Sequence, residues 1–377
     1  MNEVVIVDAI RTAVGKKDGA LSQTHPVDLL VPILQQLVER NNVSESDIED
    51  VVTGCATMTD EQGGNIGRLA TLAAGFPVEI PAYSINRLCG SSEQAIHNAS
   101  QAILSHDANV VIACGVENMS RVPMGSDIGN FSDILLNEHT IVPQGFSAEL
   151  IASEWNLTRQ ELDEYAYLSH QRAIEAIDEG YFEREIIPIE IEEDRLIMTD
   201  EGVRRDTTLE KLHQLNASFQ PDSGVVTAGN SSQISDGAAG LLLMSHEKAN
   251  ELSIKPRARI IARAVVGEDP VMMLTGVIPA TKKVLQKAGL TLEQIDVIEI
   301  NEAFASVVKA WEKELEPDMS KVNPRGGAIA LGHPLGASGA RMATTLLHTL
   351  EDTEGRFGLQ AMCIGFGMAT ATIMERL

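Results

Sequence analysis

Two stretches of this chain carry the same alternation of short apolar runs with helix-period segments, and that repetition limits the fold more than any other feature. In the first third, residues 4–7, 51–54 and 110–114 read as strands, and 27–40 and 91–105 as helices. In the last third, 297–300 and 360–363 read as strands, and 278–288 and 338–350 as helices. Such alternation implies a mainly parallel sheet covered on both faces. Ile48-Glu-Asp-Val-Val is matched by Ile295-Asp-Val-Ile, and Ala113-Cys114-Gly by Met362-Cys363-Ile-Gly. The offsets are about 246 and about 249 residues, far longer than a solenoid repeat. A near-constant offset implies two similar halves.

At 377 residues the chain exceeds one ordinary core. We divide it into an N-terminal half (1–117 plus 245–265), an inserted region (118–244) and a C-terminal half (266–377). The insertion begins irregularly and turns strongly helical over 148–180, where Thr158 precedes Glu161 in capping-box spacing. The formal charge of −25 disfavours nucleic acid and anionic membranes as partners. No apolar run reaches the length of a membrane span. The N-terminus enters an apolar strand at once, without a basic region ahead of a cleavage site, and Met-Glu-Arg-Leu is no peroxisomal address, so a cytoplasmic protein is expected. The four cysteines match neither a disulfide framework nor a zinc pattern. Cys55 and Cys114 read as small buried residues in apolar strands.

Four separated stretches carry chemistry: Cys89 in Asn86-Arg-Leu-Cys-Gly-Ser-Ser, Asn301-Glu-Ala-Phe, His333 in Gly332-His-Pro-Leu-Gly-Ala-Ser-Gly, and Cys363 in Cys-Ile-Gly-Phe-Gly. Cys89 precedes a helix, where unsatisfied N–H groups lower a thiol pKa and can hold an oxyanion. His333 can take a thiol proton, since imidazole titrates near neutrality. Cys363 can exchange a proton with a carbon acid, and Gly365 can bring an N–H to close range. The Asn301 amide can hold a water or a carbonyl. Each position alone also fits a structural role: a buried cysteine before a serine cap, a phosphate-cradling glycine loop, the end of a core strand, an N-cap. Together they suit acyl transfer through a thioester.

These residues, in order and spacing, resemble the thiolase family, over essentially the whole chain. The resemblance implies a duplicated five-layer α-β-α-β-α core with an inserted loop domain that binds CoA. It implies that Cys89 becomes acylated, that His333 activates it, and that Cys363 is the acid/base at the α-carbon. His333, with a water held by Asn301, forms one oxyanion hole; the N–H groups of Cys89 and Gly365 form the other. Arg204 and Ser232 are implied CoA contacts, and Arg205 and Lys211 offset the negative field nearby. Gln144, Phe304 and Phe366 fall at the acyl pocket. CoA thioesters are the implied substrates, with no metal or redox cofactor, and a homodimer or homotetramer is implied.

Three positions depart from the family pattern: Phe366 replaces a glycine, Gln144 stands where methionine is common, and Arg325 where asparagine is commoner. Phe366 and Gln144 leave short, long and branched acyl chains open. The implied reaction is CoA-dependent cleavage of a 3-ketoacyl-CoA or the reverse condensation. The alternatives are a thiolase-like CoA or lipid carrier without turnover, or another condensing enzyme. Ketoacyl synthases and hydroxymethylglutaryl-CoA synthases lack a second catalytic cysteine, which argues against them.

Overall fold

The structure, a computed structural model, describes residues 3–192 and 195–377. Nine strands form the path of one sheet: β1 (Val4–Thr12), β2 (Asp50–Gly54), β3 (Ala82–Ile85), β4 (Val110–Asn118), β5 (Ser235–Ser245), β6 (Ala258–Gly267), β7 (Val297–Ile300), β8 (Phe357–Ile364) and β9 (Met368–Arg376). Their order is β7-β8-β9-β6-β1-β5-β4-β2-β3.

The two halves repeat one topology. In the first, β1 is antiparallel to β5, β5 to β4, and β4 runs parallel to β2. In the second, β6 is antiparallel to β9, β9 to β8, and β8 runs parallel to β7. The sequence matches land on corresponding strands, Asp50 with the β7 segment and Cys114 with Cys363 on β8. The sheet is mixed where a mainly parallel one was expected. A tight turn joins β8 to β9, and β5 returns beside both β1 and β4; each arrangement gives antiparallel pairing.

Two expected boundaries do not follow the sheet. All eleven residues of β5 are buried, between β1 and β4, so the core resumes at Ser235 and not after 244. The run Ala238-Ala-Gly-Leu-Leu-Leu-Met has no polar face to present to water, which drives it inside. Strand β6 pairs along its length with β9, from Ala258↔Arg376 to Gly267↔Met368, and touches β1 only at two register positions. It belongs with the C-terminal half, although the expected division left 258–265 with the N-terminal one.

The helices complete five layers. Helices α1 (Pro26–Glu39) and α2 (Ile66–Ala73) cover the outer face of the first half. Helix α3 (Ser91–Leu104) lies inside. Helices α4 (Gln144–Glu154) and α5 (Arg159–Asp178) belong to the insertion. Helices α6 (Val277–Ala288) and α7 (Ala305–Leu315) cover the outer face of the second half. Helix α8 (Ser338–Asp352) packs beside α3 between the two halves of the sheet. Along β4, Val110, Ile112, Cys114 and Val116 face the outer layer, while Val111 and Ala113 face the middle one. Every residue of α8 from Ser338 to Leu350 is buried, as a helix with neighbours all round requires. Thr158 caps α5 through the expected capping box with Glu161. Among the described residues, no helix is long and apolar enough to cross a membrane.

Close approach within the middle layer depends on Gly339. A Cβ there would lie 2.3 Å from the backbone nitrogen of Glu93 on α3. We expect Gly339→Ala to destabilise the protein by about 1–3 kcal/mol, the usual cost of overpacking a core, read as a lower urea midpoint. An unchanged midpoint would show that the layer can part without cost.

Candidate active site

Cys89 ends a stapled turn. Leu88 has φ +48°, and the Asn86 side chain accepts from the Leu88 N–H (2.8 Å) while donating to the Ala56 carbonyl (2.7 Å). Ser91 Oγ accepts from the Arg87 N–H (2.9 Å) and donates to the Leu88 carbonyl (2.6 Å). This places the thiol at the start of α3, buried. Burial pushes its pKa up to about 11, against the opposing pull of the Gly365 N–H, its own N–H and the Gln144 amide. The expectation that a helix N-terminus lowers this pKa is therefore overturned: loss of solvation outweighs the donors, and a resting thiol needs a base.

The His333 ring is held in one tautomer. Its Nδ1 lies 2.6 Å from Ser338 Oγ, and Ser338 donates its hydroxyl proton to the Pro334 carbonyl (2.8 Å). Ser338 must then accept from Nδ1–H, which leaves the Nε2 lone pair facing Asn301 Nδ2 at 3.4 Å. Burial, with help from the Arg341 charge, pushes the His333 pKa down to about 3, so the resting ring is neutral and its Nε2 lone pair is unprotonated. The backbone N–H of His333 is shared between the Gln233 carbonyl and Ser235 Oγ. His97 and His348 are buried elsewhere, on Thr372 and the Ala9 carbonyl, and His106 is exposed.

Asn301 joins the imidazole to the second thiol. Its Nδ2 donates toward His333 Nε2 (3.4 Å) and Cys363 Sγ (3.9 Å), while its Oδ1 is buried without a partner among the described residues. Cys363 sits near the end of β8, fully buried, with its pKa pushed up to about 12 by burial and then by the nearby Cys89. The two thiols are thus close enough to influence one another's ionisation. Beyond Cys363 the chain turns through Gly365-Phe366-Gly367 into β9. Gly367 has φ +78°, and a Cβ on it would meet the Glu268 carbonyl oxygen at 2.3 Å, so only glycine fits. Phe366 has φ +60°, a left-handed conformation that costs an L-residue about 1–2 kcal/mol. Gln144 opens α4, and its Nε2 lies 2.9 Å from where a Gly365 Cβ would be.

The reactive end of the site opens on a cavity of about 560 Å³, where Cys89 and Gly365 stand beside Gln144, Phe304 and Phe366. Phe304 meets Phe219 edge-on at 6.0 Å, and Phe366 meets Phe131 in the same way at 6.0 Å. Arg325 takes no part: it stacks over Tyr181 at 4.8 Å and pairs with Asp352. A second cavity, about 650 Å³, is lined by Lys16, Lys17, Arg204 and Ser232. Arg205 and Lys211 pair with Asp178 (2.6 Å) and Asp206 (2.7 Å), so their charge is largely spent there.

Sequence reasoning missed three positioning groups. Ser338 sets the His333 tautomer; its signal was a hydroxyl five residues after the histidine, at the start of a helix. Glu117 accepts from the N–H groups of Ala56, Thr57 and Gly336 and from Gln62 Nε2, tying the wall at 56–57 to the His333 loop. Glu302 accepts from Tyr165, Ser169, Asn323 and the Ile329 N–H, tying Asn301 to the insertion. No local pattern reveals either carboxylate's partners, because these come from distant segments. Ser338→Ala is expected to free the imidazole and slow acylation of Cys89 about tenfold while leaving the pH at which iodoacetamide labels Cys89 unchanged. In the unliganded protein that labelling should climb about tenfold per pH unit from pH 7 toward 11, as thiolate forms. A plateau below pH 9 would contradict a thiol raised by burial.

Thiolase N-terminal and C-terminal domain models match residues 4–247 and 254–376. The chain is 47% identical to the steroid 3-ketoacyl-CoA thiolase FadA6 of Mycobacterium tuberculosis, over 100% of this chain and 95% of that one. It is 45% identical to a 3-ketoacyl-CoA thiolase of Aliivibrio fischeri, over the full length of both. The crystal structure of the Bacillus anthracis acetyl-CoA acetyltransferase superposes with a TM-score of 0.93 at 40% identity, covering 100% of this chain and 99% of that one. With its paired thiols, its neutral imidazole and its duplicated five-layer core, the chain belongs to the thiolase family of acyltransferases.

Proposed function

We propose that the protein is a 3-ketoacyl-CoA thiolase, transferring an acyl group between Cys89 and CoA. The observation that carries this reading is the bridging of His333 Nε2 and Cys363 Sγ by one buried amide, Asn301, with Cys363 close enough to Cys89 for the two thiols to affect each other's ionisation. The relatives named as 3-ketoacyl-CoA thiolases support the substrate class.

In the cleaving direction, His333 takes the Cys89 proton and the thiolate attacks the 3-keto carbon. The N–H groups of Cys89 and Gly365 hold the resulting oxyanion, an arrangement supported by their effect on the Cys89 thiol. The bond between the α- and β-carbons breaks, and the departing enolate takes a proton from Cys363 to become acetyl-CoA. His333, with a water held by Asn301, stabilises the enolate oxygen. A second CoA then gives its thiol proton to the Cys363 thiolate, its sulfur takes the acyl group, and the departing Cys89 recovers its proton from His333. The covalent intermediate makes the kinetics ping-pong. These steps balance with CoA alone.

CoA binds with its nucleotide end in the cavity of Arg204 and Ser232, a reading supported by the lysines at the same cavity. From there the segment 231–235 leads inward, since Ser231 bridges to Phe304 and Gln233 holds the His333 backbone. The chain assembles as a homodimer or homotetramer. In support, β3 ends the sheet with an edge free in this topology, and apolar Leu69, Leu72 and Val78 are exposed beside it.

The first test follows CoA-dependent loss of acetoacetyl-CoA and of 3-ketooctanoyl-CoA side by side. Cys89→Ala should lower both rates at least about a thousandfold and leave no acyl adduct. Cys363→Ala should still be acylated by acetyl-CoA but fail to condense two acetyl groups. Arg204→Ala should raise KM for CoA with little change in kcat. Normal condensation by the Cys363 variant would remove it from the mechanism.

A further inference from the structure

The reacting chamber has a neighbour that the thiolysis reading does not use. A third cavity, of about 360 Å³, shares three lining residues with the chamber of about 560 Å³: Phe131, Ile141 and Phe366. Beyond them its walls are apolar at Leu135 and Pro270, with His139 and Glu268 completing the lining. Two of these shared residues, Phe131 and Phe366, meet edge-on with ring planes at 86°.

Each member of this pair is built to yield. Phe366 holds a bulky ring on a left-handed backbone at φ +60°, between Gly365 and Gly367, and remains 37% exposed, so deep burial does not offset the strain. Phe131 is 40% exposed and stands just before the short helix Asp133–Glu138, none of whose residues is buried. A segment so thinly packed moves at small cost. Glycine is the residue that the Phe366 backbone favours. A phenylalanine kept there against that preference, with its ring between two cavities, points to a role in what the chamber admits.

We propose that the cavity beyond Phe131 and Phe366 receives the distal end of a long or ring-bearing 3-ketoacyl group, and that this aromatic pair is the partition such a substrate displaces. The proposal rests on the thiolysis reading for its substrate class. Short acyl groups fit within the chamber and leave the pair closed. Long or bulky ones reach past it into an apolar space, where burial of the acyl chain offsets the cost of parting the two rings.

Two variants test this, Phe366→Gly, whose backbone accepts the turn without strain, and Phe131→Ala on the opposite side. The first readout is the ratio of kcat/KM for 3-ketohexadecanoyl-CoA over acetoacetyl-CoA. The second, independent of turnover, is the ratio of Cys89 labelling by N-octylmaleimide over N-methylmaleimide, read by mass spectrometry. Both ratios should rise about tenfold or more in each variant. Unchanged ratios in both variants, with Cys89 still labelled, would overturn the proposal. If neither the wild type nor the variants cleave any 3-ketoacyl-CoA, the thiolysis reading fails, and the maleimide ratios still decide whether the pair partitions the two cavities.

Discussion

The packing of α3 against α8 between the two halves of the sheet is the constraint on which the site depends. The two helices meet closely at Gly339 and Glu93, and the Ala340 N–H donates to Ser92 Oγ across the interface at 2.9 Å. Because both helices are enclosed by sheet, their positions are set by packing on every side and not by one face alone. The groups at their N-terminal ends inherit that rigidity. Cys89 leads into α3, and the His333 loop leads into α8, whose first residue, Ser338, holds the imidazole. Cys89, Leu335, Met342, Met362 and Ile364 then form one small apolar cluster beneath the reacting groups.

The electrostatics of the site follow from this burial. Both thiols are raised, to about 11 and about 12, and His333 is lowered to about 3, so the resting site is uncharged inside a protein of formal charge −25. An uncharged site avoids the cost of burying unpaired ions. In the proposed reaction charge appears only as the bonds change, beside the N–H groups of Cys89 and Gly365 that already bear on the thiol. Arg341 contributes from behind. Its guanidinium is buried near Glu299 (3.7 Å) and helps to keep the His333 ring neutral.

The turn between β8 and β9 combines two demands. Gly365 must bring an N–H to the thiol, and Gly367 must pass the Glu268 carbonyl without a side chain. Phe366 between them has no such backbone reason, and its ring faces Phe131 at the edge of the chamber. The turn thus sets the thiol-facing N–H of Gly365 and the cavity-lining ring of Phe366 side by side.

Much was legible in the sequence because local pattern reports local structure. The alternation of strands and helices, the offset matches at Asp50 and Cys114, and the Thr158 cap correspond to elements in the structure. The glycine-flanked motifs named Cys89, Asn301, His333 and Cys363, and these four come together because each motif ends a strand or leads into a helix of the duplicated core. Strand direction was not legible, since an apolar run reads the same whichever way its neighbour points; the returning β5 and the tight turn after β8 decided it. Nor was the state of the thiol. Sequence placed Cys89 at a helix N-terminus, which favours thiolate, but only the packed chamber sets the loss of solvation that outweighs it. The chain by itself determined which groups are present and which backbone positions carry them. Tertiary structure alone decided their protonation, the tautomer of His333 and the size of the acyl chamber, because these depend on atoms brought together from segments far apart in the chain.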